Sequence, residues 1–285
     1  MNTSVKLIEC PRDAMQGWKH FIATEQKIAY INSLLQVGFD TIDFGSFVSP
    51  KAIPQMADTH EVLKKLDLSN TSSKLLAIVA NVRGAQEAIL YKQITYLGFP
   101  LSVSETFQQR NTNASISDAL ERVKEIQSLC VKNGKQLVVY ISMGFGNPYG
   151  DAYSSEIVFQ YVNQLVREGI QIISLADTVG VATAAQVAEI TGYLIKALPQ
   201  IEIGVHLHST IYNWHEKIDA AYTAGCRRFD GALKGIGGCP MAKDDLVGNM
   251  ATEWLLAYFN EKGNAPTLNK AAFEKSMHLA DQIFV

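Results

Sequence analysis

The chain has 285 residues, 47% of them hydrophobic, with a formal net charge of −3. That supports a large core, in one big α/β domain or two smaller ones. The near-neutral balance gives no basis for nucleic-acid or membrane-surface binding. No segment approaches the roughly 18–20 apolar residues of a membrane span. Cys10, Cys130, Cys226 and Cys239 are scattered without paired spacing, which describes a reduced, cytoplasmic protein rather than a disulfide framework. Met1-Asn2-Thr3-Ser4 carries no basic stretch leading into an apolar run, so no secretory signal is expected.

Strand-like and helix-like segments alternate along the whole chain. Predicted strands cover residues 5–9, 41–44, 75–79, 94–103, 137–142, 170–175, 203–207 and 227–230. Most are short, apolar and rich in Val, Ile or Leu, as strands buried on both faces should be. Helical patterns lie between them. Residues 24–37 carry Ile28, Ile31, Leu34 and Leu35 and open at Thr24 with Glu25 in the first turn. Residues 115–132 open with Ser117 as candidate N-cap, and 154–167 and 183–198 follow the same form. Gly38, Gly134, Gly169 and Gly225 fit the position just past a helix end. A last amphipathic helix is expected at 270–283, packed over the rest.

Eight βα units in about 240 residues fit a (β/α)8 TIM barrel. We place the barrel at about residues 5–262 and the additional C-terminal helix at about 268–284, in a single α/β domain. An open doubly wound sheet usually carries a Gly-rich phosphate turn after its first strand. Here that strand runs into Cys10-Pro11-Arg12-Asp13.

In such a barrel the active site lies at the C-terminal ends of the strands. Polar residues gather at nearly every predicted end: Glu9, Arg12, Asp13 and Gln16; Asp43 and Ser46; Asn81; Glu105; Ser142; Asp177 and Thr178; His206 and His208; then Lys234 and Asn249. His206-Leu207-His208 is the most informative of them. Side chains at i and i+2 of a strand point the same way, so two imidazoles there form half of a metal site. Taken alone, they could be ordinary strand-end histidines. With Asp13 and Asn249 they make one carboxylate, one amide oxygen and two imidazoles, a set that suits Mg2+ or Mn2+, with Zn2+ the less favoured alternative. Arg12 sets a permanent cation beside that site, where it can stabilise an enolate or bind a carboxylate. Cys239, in the Gly-rich run 235–240, offers a thiol for general acid or base work.

In order, these motifs resemble the 3-hydroxy-3-methylglutaryl-CoA lyase family, within the wider group of metal-dependent TIM-barrel lyases and acyl-transferring synthases. The matching stretches are VKLIECPRDAMQ (5–16), IDFGSFVSPKAIPQM (42–56), SLADTVG (174–180), VHLHST (205–210) and GIGGCPMAKDDLVGNMATE (235–253). SFVSPK, PQM and GGCP are the most specific. The resemblance implies retro-Claisen cleavage of an acyl-CoA substrate to acetyl-CoA and acetoacetate. It implies a metal held by Asp13, His206, His208 and Asn249, and Arg12 on the enolate oxygen. It further implies Cys239 in proton transfer to the enolate, and Asp43, Asp177 or His206 moving the hydroxyl proton. Gln16, Ser46, Glu105, Ser142 and Thr178 are the expected substrate contacts, and a homo-oligomer, a dimer, is the expected assembly.

The chain also departs from the family's pattern. It lacks a Gly before Pro11 and has Ala14 for a usual Gly. Asp43 stands for a Glu, Val138 for an Arg and Ser209 for the Asp after H-x-H, and the 239–249 stretch is one residue longer. Two other readings are an acetyl-CoA-dependent synthase condensing with a 2-oxo acid, and a degenerate, non-catalytic barrel. The intact Arg12-Asp13, H-x-H, Cys239 and Asn249 set argues against the non-catalytic barrel, and the expectation of a regulatory or lid region after the barrel in the synthases argues against the synthase.

Overall fold

Short apolar runs become strands here because each is buried on both faces, by the barrel interior and by a ring of helices. The computed structural model describes residues 4–238 and 247–285. The strands are β1 (Lys6–Glu9), β2 (Thr41–Ser46), β3 (Lys74–Ile78), β4 (Ile94–Ser102), β5 (Gln136–Ser142), β6 (Ile172–Ala176), β7 (Glu202–His206) and β8 (Arg228–Gly231). All are parallel and pair in sequence order, and β8 returns to β1 with Lys6 opposite Arg228 and Glu9 opposite Gly231. The closed (β/α)8 barrel expected from the sequence is therefore the fold. Outward residues such as Leu7, Ile42, Leu97, Val139 and Val205 share one core with the helices. Inward Leu76, Ile78, Tyr96, Val138, Tyr140 and Ile172 form a second cluster.

The helices are α1 (Pro11–Gln16), α2 (Thr24–Leu35), α3 (Thr59–Lys64), α4 (Val82–Ala88), α5 (Glu105–Thr112), α6 (Ile116–Lys132), α7 (Ser155–Arg167), α8 (Ala184–Ala197), α9 (Trp214–Thr223), α10 (Thr252–Glu261) and α11 (Lys270–Ile283). None in the described residues is long and apolar enough to cross a membrane. Gly38, Gly134, Gly169 and Gly225 follow helices with positive φ, as the sequence indicated. The expected C-terminal helix is present. It packs on the outside of α2, where Ser276 meets Ser33 at 2.7 Å and Phe284 meets the Trp18 ring edge-on at 5.2 Å.

Three local details differ from the expectation. The N-cap of α6 is Ser115, not Ser117, because Ser115 and Asp118 cap each other's backbone N–H groups and start the helix earlier. Strand β2 runs to Ser46 through a register shift between Asp43 and Gly45, so Asp43 lies inside the strand rather than at its end. Two short helices at the mouth, α1 and α5, carry residues that the sequence reading placed in loops.

Candidate active site

The site is built at the C-terminal mouth, where α1 tucks residues 11–15 into the barrel and buries Arg12 and Asp13. Arg12 donates from Nη1 to Asp13 Oδ1 at 2.7 Å, and from Nε and Nη2 to Asp43 Oδ2 at 3.0 and 2.5 Å. Three of its five N–H groups are engaged in this way. Gln16 Nε2 donates to Asp13 Oδ1 at 3.1 Å. Asn249 Nδ2 donates to Asp13 Oδ2 at 2.8 Å and to the Ile236 carbonyl at 2.9 Å. The amide oxygen of Asn249 is left as its remaining acceptor. Gly237 makes the approach possible, since a Cβ there would lie 2.6 Å from Asn249 Nδ2 and 2.9 Å from the Asp13 carbonyl.

His206 ends β7 and points inward, and His208 lies one step beyond, bridged to Asn249. One ligand atom from each of Asp13, His206 and His208 falls within 4.8 Å of the others. His206 Nδ1 faces Asp230 Oδ2 at 3.2 Å, which holds the proton on Nδ1 and leaves Nε2 as the free nitrogen. His208 Nε2 is buried with no hydrogen-bond partner. A buried polar atom without a partner calls for an explanation, and a metal ion provides one.

Charge sets the protonation states. Burial pushes the Asp13 carboxyl up, but Arg12, His206 and the Asn249 hydrogen bond outweigh it and bring the group to about 2. Burial and the neighbouring His206 lower His208 to about 4, so its imidazole is neutral. His206 is raised, because the Asp230 hydrogen bond and charge outweigh burial. Burial lifts Asp43 to about 6 against the pull of Arg12, with Asp13 and Asp230 adding to the lift, and its Oδ1 has no partner.

Several of the other sequence candidates have partners within the protein. Asp177 accepts from Lys217 Nζ at 2.7 Å and from Ala182 N at 3.0 Å, which commits both of its oxygens. Ser46 Oγ accepts from Val48 N at 3.2 Å, and Thr178 Oγ1 from Met143 N at 2.8 Å. Ser142 ends β5, and its carbonyl accepts from Val103 N at 3.1 Å. Glu105 is exposed and accepts from Ile116 N at 3.1 Å, at the start of α6. Asn81 caps α4. Glu9 is buried at the end of β1, accepting from Leu233 N at 2.9 Å and Thr252 Oγ1 at 2.5 Å. Cys239 lies outside the described residues.

Four buried residues were not singled out from the sequence: Tyr140, Lys217, Arg228 and Asp230. Asp230 had a readable signal, an acid in the strand segment RFDG at the inward period from Arg228. Tyr140 sets its ring edge-on to His206 at 6.1 Å. Arg228 lies across the gap left by Gly204, where a Cβ would come within 2.8 Å of Arg228 Cδ.

Comparison with known proteins points to one family. A family model described as HMGL-like matches residues 5–282. The Bacillus subtilis hydroxymethylglutaryl-CoA lyase YngG is 36% identical over 243 residues, covering 85% of this chain and 80% of that protein. The 3-hydroxy-3-isohexenylglutaryl-CoA/hydroxymethylglutaryl-CoA lyase of Pseudomonas aeruginosa is 34% identical over 257 residues, covering 90% of this chain and 85% of that one. The HMG-CoA lyase of Acinetobacter baumannii, solved in complex with coenzyme A and 3-methylmalate, superposes with a TM-score of 0.91 at 31% identity, covering 99% of this chain and 92% of that chain.

Proposed function

The chain belongs to the HMGL-like family, and from that membership and the mouth geometry we infer that it is a metal-dependent carbon–carbon lyase. Its substrate is 3-hydroxy-3-methylglutaryl-CoA, and its products are acetyl-CoA and acetoacetate. The observation that carries this reading is the convergence of Asp13, His206 and His208, with His208 Nε2 buried, neutral and unpartnered. The donor set fits a divalent ion: an ionised carboxylate, an amide oxygen from Asn249 and two imidazole nitrogens suit Mg2+ or Mn2+ before Zn2+. Held by those four residues, the ion supplies Lewis acidity toward the substrate's hydroxyl and free carboxylate.

The chain's own groups do the rest. Asp43 takes the proton of the C3 hydroxyl at its unpartnered Oδ1, and its position near 6 suits a general base. As the C3 oxygen becomes a carbonyl, the electron pair of the C2–C3 bond moves into the thioester, giving the enolate of acetyl-CoA. Arg12 stays protonated, since Asp43 and Asp13 outweigh its burial, and it keeps N–H groups free for the enolate oxygen. A proton returned to C2 completes acetyl-CoA, a role we assign to Cys239 on the resemblance. Asp177 is left out of the proton path because Lys217 and Ala182 hold it. Gln16, half-buried against Asp13, is a substrate contact in this proposal. Ser46, Ser142, Thr178 and Glu105 are further substrate contacts in this proposal, the hydroxyls of Ser46 and Thr178 being set in place by the Val48 and Met143 N–H groups.

The name of the Pseudomonas relative joins an isohexenyl substrate to the methyl one. The proposed class is therefore 3-hydroxyglutaryl-CoA thioesters with a C3 alkyl or alkenyl group, the methyl compound first. A coupled assay for acetyl-CoA and acetoacetate tests the reading. Both products should appear with Mn2+, disappear with EDTA and return on adding Mn2+. Release of neither from folded, metal-loaded protein overturns it.

A further inference from the structure

Lys217 stands on α9 with its whole side chain buried, and the mechanism above makes no use of it. Its Nζ donates to Asp177 Oδ2 at 2.7 Å, to the His208 carbonyl at 2.9 Å and to the Gly180 carbonyl at 3.2 Å. An ammonium has three donors, and all three are used. A buried charge carries a large desolvation penalty, which is offset only when its partners are well placed. The placement of these partners is informative. Asp177 and Gly180 follow β6, whereas His208 follows β7 and carries one of the imidazoles of the proposed metal site. One side chain from the outer helix ring therefore fixes the peptide plane from which that imidazole projects.

A second contact extends the argument to Asn249. The turn at Gly180 that Lys217 holds is packed against Val247, so closely that a Cβ on Gly180 would lie 2.8 Å from Val247 Cβ. The same return segment is hydrogen-bonded to the His208 loop, with Ser209 N donating to the Gly248 carbonyl and Met250 N to the Leu207 carbonyl, both at 3.0 Å. His208 and Asn249 are thus braced from one point.

We propose that Lys217 is a positioning residue for the His208–Asn249 half of the metal site, acting through the main chain of the loops after β6 and β7. The proposal rests on the metal-site reading above. Removing a residue that orients a ligand typically lowers metal affinity 10–100-fold.

The protein contains its own control. Lys27, on α2, is also buried, with Nζ on Asp58 Oδ1 at 2.8 Å and on the Gln55 carbonyl. Lys27→Met breaks a buried ion pair of the same kind whose partners, Asp58 and Gln55, lie outside the loops that carry His208 and Asn249. The experiment is a titration of metal-free protein with Mn2+, free Mn2+ being read by electron paramagnetic resonance, on the parent, Lys217→Met and Lys27→Met. Both variants should melt at lower temperature. Lys217→Met should bind Mn2+ about 10–100-fold more weakly, and Lys27→Met as the parent does. Equal weakening in both variants, or parent-like binding by Lys217→Met, overturns the proposal. Because Lys217→Met strands the Asp177 charge and can fail to fold, Lys217→Met/Asp177→Asn is the second variant. It should show the same weakening, and parent-like binding by the folded double variant also overturns the proposal. A parent that binds no Mn2+ removes the metal-site reading itself, so the two failures are distinct.

Discussion

Asp43→Asn isolates the proton transfer from everything else at the mouth. The aspartate is buried, its Oδ2 receives both Nε and Nη2 of Arg12, and its Oδ1 has no partner. An asparagine of the same shape can keep its amide oxygen on Arg12, so the arginine stays in place and the metal ligands are untouched. What is lost is the ability to accept the hydroxyl proton. Removing a general base typically lowers turnover by 10²–10⁴, about 2.7–5.4 kcal/mol at 1.36 kcal/mol per tenfold. The pH dependence gives a second signature. Burial lifts the carboxyl to about 6 even with Arg12 beside it, and the base works only when ionised. The parent's kcat should therefore climb as pH rises through about 6 and then level off, and the variant should lack that limb. The coupled assay run from pH 5 to 8, with Mn2+ affinity measured alongside, reads both. A variant whose kcat stays within about threefold of the parent and keeps the rising limb refutes the assignment of the base.

Two further changes probe the surroundings. Asp230→Asn keeps an acceptor for His206 Nδ1 but removes the buried charge behind it. Mn2+ affinity should fall about 10–100-fold, roughly 1.4–2.7 kcal/mol, and an unchanged titration would detach Asp230 from the site. Glu9 is a stability probe. Burial raises it to about 8 despite its hydrogen bonds from Thr252 and Leu233. An unfolded glutamate titrates near 4.3, so between these values the native state binds more protons and stability falls as pH rises. Glu9→Gln can satisfy the same two partners without ionising. Its melting temperature should gain on the parent's steadily from pH 5 to pH 8.5, and a constant gap across that range would contradict the raised carboxyl.

Much of this was legible because it follows from local pattern. Short, mostly apolar runs marked most of the eight strands, and glycines just past helix ends marked their spacing. Asp13, His206, His208 and Asn249 were legible because the fold sends strand ends to one mouth. Asp230 was missed because attention to residues after each strand passes over an acid within one. Lys217 carried no signal, since a lysine in an amphipathic helix reads as solvent-exposed until the tertiary neighbours are known. Glu105 was read as the residue after the fourth strand, and it opens α5 there behind Ser104, an N-cap whose signal was passed over.

The buried charges around the mouth explain how the departures from the family's pattern can coexist with the proposed chemistry. Ser209, where an Asp is usual, bonds Met250 Sδ at 3.4 Å and brings no charge. Val138, where an Arg is usual, is apolar and packed in the inward cluster, while Arg228 brings a guanidinium into the barrel from β8. Among the described residues the buried cations at the mouth are Arg12 and Lys217 and the buried aspartates there are 13, 43, 177 and 230, whereas Arg228, at the start of β8, pairs with Glu202 at the start of β7. With Asp43 ionised and both histidines deprotonated, as metal ligands must be, the surplus at the mouth is two negative charges, which a divalent cation in the proposed site balances. Loss of the proton from the C3 hydroxyl to Asp43 then moves charge among preorganised groups, which stabilise it most effectively. The free carboxylate of a glutaryl-CoA substrate offers that ion an anionic oxygen, and a substrate analogue with an amide in its place should bind more weakly than the parent thioester.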